Sequence, residues 1–87
     1  MYEIQPYTYK KAMEVGVEVK PSTRKYKKLD VFYMGKYVAS IGDNRYVDYP
    51  TLLRHDRKEA NRRRHLYYQR HSKDNRIGGL LAMWLLW

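Results

Sequence analysis

The sequence predicts an α+β fold: a short antiparallel sheet, built from a hairpin and a preceding strand, followed by an arginine-rich helix and a short apolar C-terminal helix or strand. Three observations predict it. The stretch KLDVFYMGKYVASIG holds two β-rich runs on either side of Met34-Gly35, and glycine accepts the positive φ that a tight hairpin turn demands. Asp56 stands three residues before Glu59, the spacing of a helical capping box. The stretch GGLLAMWLLW closes an otherwise polar chain with an apolar run.

Each element follows from its local pattern. In Met13-Glu14-Val15-Gly16-Val17-Glu18-Val19 the apolar side chains alternate with acidic ones or glycine, the period of a half-buried strand. Met13, Val15, Val17 and Val19 are expected on one face, with Pro21-Ser22-Thr23 breaking the strand. In the hairpin, Val31, Tyr33, Tyr37, Ala39 and Ile41 alternate with Asp30, Phe32, Val38 and Ser40, so one face is expected to join those valines. Gly42-Asp43-Asn44 ends this unit. Asp48-Tyr49-Pro50-Thr51 reads as a turn with helix-start character, and the capping box places a helix from about Arg57 to Ser72. Leu53, Ala60 and Tyr67, seven residues apart, form its narrow apolar stripe. Asn75 to Gly79 is expected to be a loop, with Gly78 and Gly79 as a hinge. The chain divides accordingly into an N-terminal arm and first strand (1–19), a basic hairpin-plus-helix domain (20–79) and an apolar C-terminal anchor (80–87).

Size and composition narrow the function. A chain of 87 residues without cysteine has a thin core of its own and neither disulfides nor thiolate metal sites to supplement it. Its ten tyrosines suit half-wet interfaces. Eighteen Lys and Arg against nine Asp and Glu give a net charge of +9, which points to an acidic partner: nucleic acid, anionic lipid or an acidic protein face. Met1-Tyr2-Glu3-Ile4 lacks the basic start and apolar run of a signal peptide. A membrane-spanning helix needs roughly 20 apolar residues, so the run from Leu80 to Trp87 is too short to span.

Catalysis is not expected. His55, His65 and His71 lack the i, i+4 spacing that brings two imidazoles to one metal, and HExxH, phosphate-binding loops and nucleophile elbows are absent. No catalytic residue, cofactor or metal ligand is assigned. Polyanion binding is the better-supported chemistry. Lys20, Arg24, Lys25, Lys27 and Lys28 form one basic cluster; Arg62, Arg63, Arg64 and Arg70 present forked guanidinium donors along the helix. Tyr26, Tyr67 and Tyr68 are interleaved with them and offer surfaces on which unpaired bases stack. No base-reading signature is present. Leu81, Trp84, Leu85 and Trp87 are the anchors of the apolar run, which either completes the domain's own core or inserts into a groove on another subunit.

From Val19 to Trp87 the chain resembles a family of small, basic, functionally uncharacterised proteins encoded by large DNA viruses of algae, phycodnavirus-like, and their relatives. The resemblance rests on KPSTRKYKK (Lys20 to Lys28), DVFYMGKYVASIG (Asp30 to Gly42), DYPT (Asp48 to Thr51), the arginine-rich segment from Arg62 to His71, and the closing LLW (Leu85 to Trp87). Met34 stands where the family often has asparagine, and Leu80-Leu81 where an aromatic is common. The resemblance implies a viral gene product and brings no catalytic residues with it. Together with the charge and the apolar run, it leads to the expectation of a non-enzymatic viral structural protein, a minor capsid, cement or assembly component. Its partners would be capsid or other virion proteins and the genome, within a larger assembly. Its place would be the virion, and the host cytoplasm or nucleus during assembly. The alternative is a sequence-nonspecific DNA-binding accessory protein that compacts or protects viral DNA.

Overall fold

In a computed structural model, which describes residues 2–71 and 76–87, the chain forms an α+β fold. Among the described residues seven elements follow in the order α1 (Pro6–Val15), β1 (Glu18–Pro21), β2 (Lys27–Tyr33), β3 (Lys36–Asp43), α2 (Tyr49–Leu53), α3 (Arg57–His71) and α4 (Ile77–Leu86). The strands make one antiparallel sheet in the order β1-β2-β3. Ala12 of α1 and Leu85 and Leu86 of α4 close over Val19, Leu29, Val31 and Ile41 to form the core.

The first helix is a departure from the expected strand. Pro6 occupies the first helical turn, and Gly16, at φ 76°, donates its N–H to the Ala12 and Met13 carbonyls, a glycine C-cap that ends the helix before the chain turns into β1. Met13, 82% exposed, and Val15 therefore belong to α1 and lie largely in solvent. Only Val17 and Val19 meet the core as expected. Pro21 is the last residue of β1 and pairs with Leu29, at the sheet edge where proline's missing N–H is tolerated.

The hairpin turns at Met34 and Gly35, with φ of 50° and 79°, the pair of positive φ values of a type I′ turn. Tyr33 and Lys36 close it. Between Val31/Phe32 the register shifts: Val31 pairs with Ala39, but Phe32 pairs with Tyr37. Val38 is thus a bulged extra residue, and a one-residue shift flips side chains to the other face. Ala39 and Ile41 pack toward the core as expected, whereas Tyr37 turns to the opposite face beside Phe32. Tyr33, next to the turn, is exposed.

Asp48 caps α2, its carboxylate accepting the Thr51 N–H at 3.0 Å. Asp56 caps α3 in the same way, accepting the Glu59 N–H at 3.1 Å. Ala60 is the fully buried point of the α3 stripe. Leu53 falls in α2, ahead of the break at Arg54 to Asp56, so it does not extend that stripe. The apolar run is a helix, and Gly78 and Gly79 lie within its first turn rather than forming a hinge. The expected ends at Ser72 and Asn75 lie outside the described residues.

Candidate functional site

The C-terminal helix packs on its own chain. Leu85 and Leu86 are wholly buried, and the backbone carbonyl of Leu85 accepts a 2.9 Å hydrogen bond from the buried Thr8 hydroxyl of α1. Leu81 is partly buried against the core. Trp84 remains 39% exposed; its indole N–H donates to the Lys11 carbonyl at 3.0 Å, and the Lys11 ammonium stands 4.1 Å from its ring centroid. Trp87 stacks on Tyr67 of α3, centroids 4.6 Å apart and planes 8° from parallel. His71 stacks on Tyr67 as well, at 4.3 Å. Trp87, Tyr67 and His71 therefore form a continuous column of three rings that joins α4 to α3.

This column stands in an open groove of about 920 Å³ between the end of β3, the following loop, α3 and the start of α4. Lys27, Lys28, Arg45, Arg63, Arg70 and Arg76 line it, and Asp43 is the only acid among the described residues that do. Arg45 holds that acid through two hydrogen bonds, at 2.9 and 2.7 Å; these bonds from the guanidinium keep the Asp43 carboxyl down at about 2. Glu59, one turn back on α3, is treated likewise: bonds from Arg62 and Arg63 hold its carboxyl at about 2. Gly78 and Gly79 bring the first turn of α4 to the groove, where a helix presents N–H groups that have no i−4 carbonyl and a positive dipole end.

The cations singled out from the sequence separate into four environments. Lys27, Arg63 and Arg70 reach the groove. Arg62 lies beside it on the same helix, bonded to Glu59. Lys20, Arg24 and Lys25 stand elsewhere, over the rings of Phe32, Tyr37 and Tyr26 respectively. Lys28 also lines the groove but is buried, and Arg64 does not line it. The Lys28 ammonium is buried and bonds the fully buried Asp48 carboxylate at 2.7 Å; the same oxygen takes the Tyr2 hydroxyl at 2.6 Å, and burial followed by this bond raises the Tyr2 pKa. A lone buried charge is strongly unfavourable, so Lys28 is committed to Asp48. Arg64 is half-buried, its guanidinium 4.9 Å from the Tyr49 centroid and 5.4 Å from that of Tyr68.

Arg45 and the start of α4 were not legible as site residues, because nothing local in the sequence places the chain after β3 next to α4. Among the described residues no three His, Asp or Glu side chains gather as a metal group, and no helix is long and apolar enough to cross a membrane. Compared with family models, with curated proteins and with solved structures, the chain matches none.

Proposed function

We propose that this chain is a non-enzymatic, sequence-nonspecific nucleic-acid-binding protein that holds phosphates in the groove between α3 and α4. The observation that carries this reading is the convergence of Lys27, Arg63 and Arg70 on one concave surface where Asp43, the only acid among the described lining residues, is already bonded to Arg45. Arginine supplies forked donors to phosphate oxygens, and the α4 N-terminus adds dipole and N–H groups of the same preference. Within the groove, Tyr67 of α3 and Trp87 at the end of α4 stack face to face. No side-chain pattern in the groove reads base edges, so binding follows charge. On the viral resemblance, the ligand is the genome, and the protein compacts or protects it.

The second reading, a minor capsid or cement component, draws on Leu80 and Trp84, which α4 leaves exposed, as contacts for a coat protein. The two readings part on a simple test. Fluorescence anisotropy with a labelled duplex should show binding that Arg63→Glu with Arg70→Glu removes. Retained duplex binding in that variant would reject the groove, and recovery of the chain with particles only when Trp84 and Leu80 are intact would favour the second reading.

A further inference from the structure

We propose that the face of the sheet turned away from α1 and α4 is a second binding surface, for single-stranded nucleic acid whose bases stack on Phe32 and Tyr37. Its rings, Phe32 and Tyr37, and their cations, Lys20 and Arg24, are not among the residues that line the groove.

The bulge at Val38 sets the direction of Tyr37. With regular pairing, Tyr37 would share the core-facing side with Ala39; the shifted register instead pairs it with Phe32. Bulges recur where a strand re-aims a side chain, and here the result is two aromatic rings side by side, centroids 6.0 Å apart and edge to face. Tyr37 is exposed, and its orientation is fixed by a 2.7 Å hydrogen bond between its hydroxyl and Ser40, which in turn donates to Asp30 at 2.6 Å. A cation attends each ring. The Lys20 ammonium is 5.2 Å from the Phe32 centroid, and the Arg24 guanidinium carbon 5.0 Å from that of Tyr37. Both cations are exposed, and Arg24 comes from the KPSTRKYKK segment that follows β1.

Rings with cations beside them match a ligand that offers planar π-faces and negative charge together. An acidic protein surface offers the charge without the planes. A duplex keeps its base faces inside the stack and presents only phosphates. A single strand offers both, and stacking of bases on protein rings is tolerant of sequence. A base that enters between Arg24 and Tyr37 keeps the guanidinium on its other face, so the existing pairing is extended rather than lost.

The test measures anisotropy with three labelled probes of equal length: a thymidine strand, an abasic strand and a duplex. The intact protein should bind the thymidine strand about tenfold or more tighter than the abasic one. Phe32→Leu with Tyr37→Leu keeps apolar bulk while removing the rings; it should abolish that preference and leave duplex and abasic binding unchanged. If circular dichroism shows this double variant unfolded, Tyr37→Leu alone carries the same comparison. Arg63→Glu with Arg70→Glu should weaken duplex binding yet keep the preference for bases, which separates failure of this surface from failure of the groove. Equal binding of thymidine and abasic strands by the intact protein would overturn the proposal. So would a preference that survives loss of the rings, or a loss shared in equal proportion by the duplex.

Discussion

Leu86 packs against the bare α-carbon of Gly42: a β-carbon there would stand 2.7 Å from the Leu86 Cδ1 atom and 3.1 Å from the Lys28 Cβ and Cδ atoms. Gly42 also holds φ at 78° inside β3, where side chains are strained. Gly35 shares the positive φ but has open space around its missing β-carbon. Gly35→Ala should therefore lower stability by about 1 kcal/mol, from backbone strain alone. Gly42→Ala should cost about 2 kcal/mol or more, because Leu86 must also move. Urea denaturation of the two variants checks this, and equal losses would mean the α4 contact at Gly42 is slack.

Removing Leu85 to Trp87 takes away two fully buried leucines and the ring on Tyr67. A buried leucine cut to alanine typically costs about 2–5 kcal/mol, a large share of the roughly 5–15 kcal/mol that holds a small domain together. The truncated chain should be unfolded by circular dichroism, and Leu85→Ala alone should lower the melting temperature markedly. A truncated chain with a native spectrum and a cooperative transition would contradict the packing of α4 on its own sheet.

The buried Lys28–Asp48 pair makes a prediction about partners. Asp48→Asn keeps an N-cap acceptor for Thr51 but leaves the Lys28 ammonium buried without its counter-charge, a loss of about 3–5 kcal/mol. Adding Lys28→Met removes the stranded charge and should restore most of that stability. A double variant no more stable than Asp48→Asn would show that the charge is not what makes the single change harmful.

Glu59 sets a pH dependence. Its carboxyl is held at about 2, against an ordinary 4.5, by hydrogen bonds from Arg62 and then Arg63. A folded-state value below the unfolded one means the contribution is fully present above about pH 4.5 and is lost as pH falls toward 2. Glu59→Gln should flatten that part of the stability profile, leaving the Asp43 contribution, which is lost over the same acid range. An NMR titration that finds the Glu59 carboxyl protonating near 4.5 would contradict the hydrogen bonds from Arg62 and Arg63.

The sheet and the basic helix were legible because their signals are local. Met34-Gly35 carries its own turn chemistry, and Asp56 and Glu59 their own cap. The first helix was not, because Val15, Val17 and Val19 alternate like a strand while Gly16, between them, acts as a C-cap; periodicity alone does not separate the two. The bulge at Val38 leaves no sequence mark, so the face that Tyr37 takes was misassigned. For the site, charge located the arginines of α3 but could not tell that Lys28 belongs to Asp48, nor that Arg45 lines the same groove as Arg70. Those relationships depend on contacts between residues distant in the chain.

The central claim is that the groove between α3 and α4 binds phosphate by charge. Measuring duplex affinity across a salt series tests it most directly. The logarithm of the affinity should fall linearly with the logarithm of salt concentration, with a slope of about −3 for on the order of three neutralised phosphates at roughly 0.9 each. Arg70→Ala should reduce that slope by about 1, and unrelated duplex sequences should give the same line. An affinity that does not change with salt, or a slope unaltered by Arg70→Ala, would contradict the account.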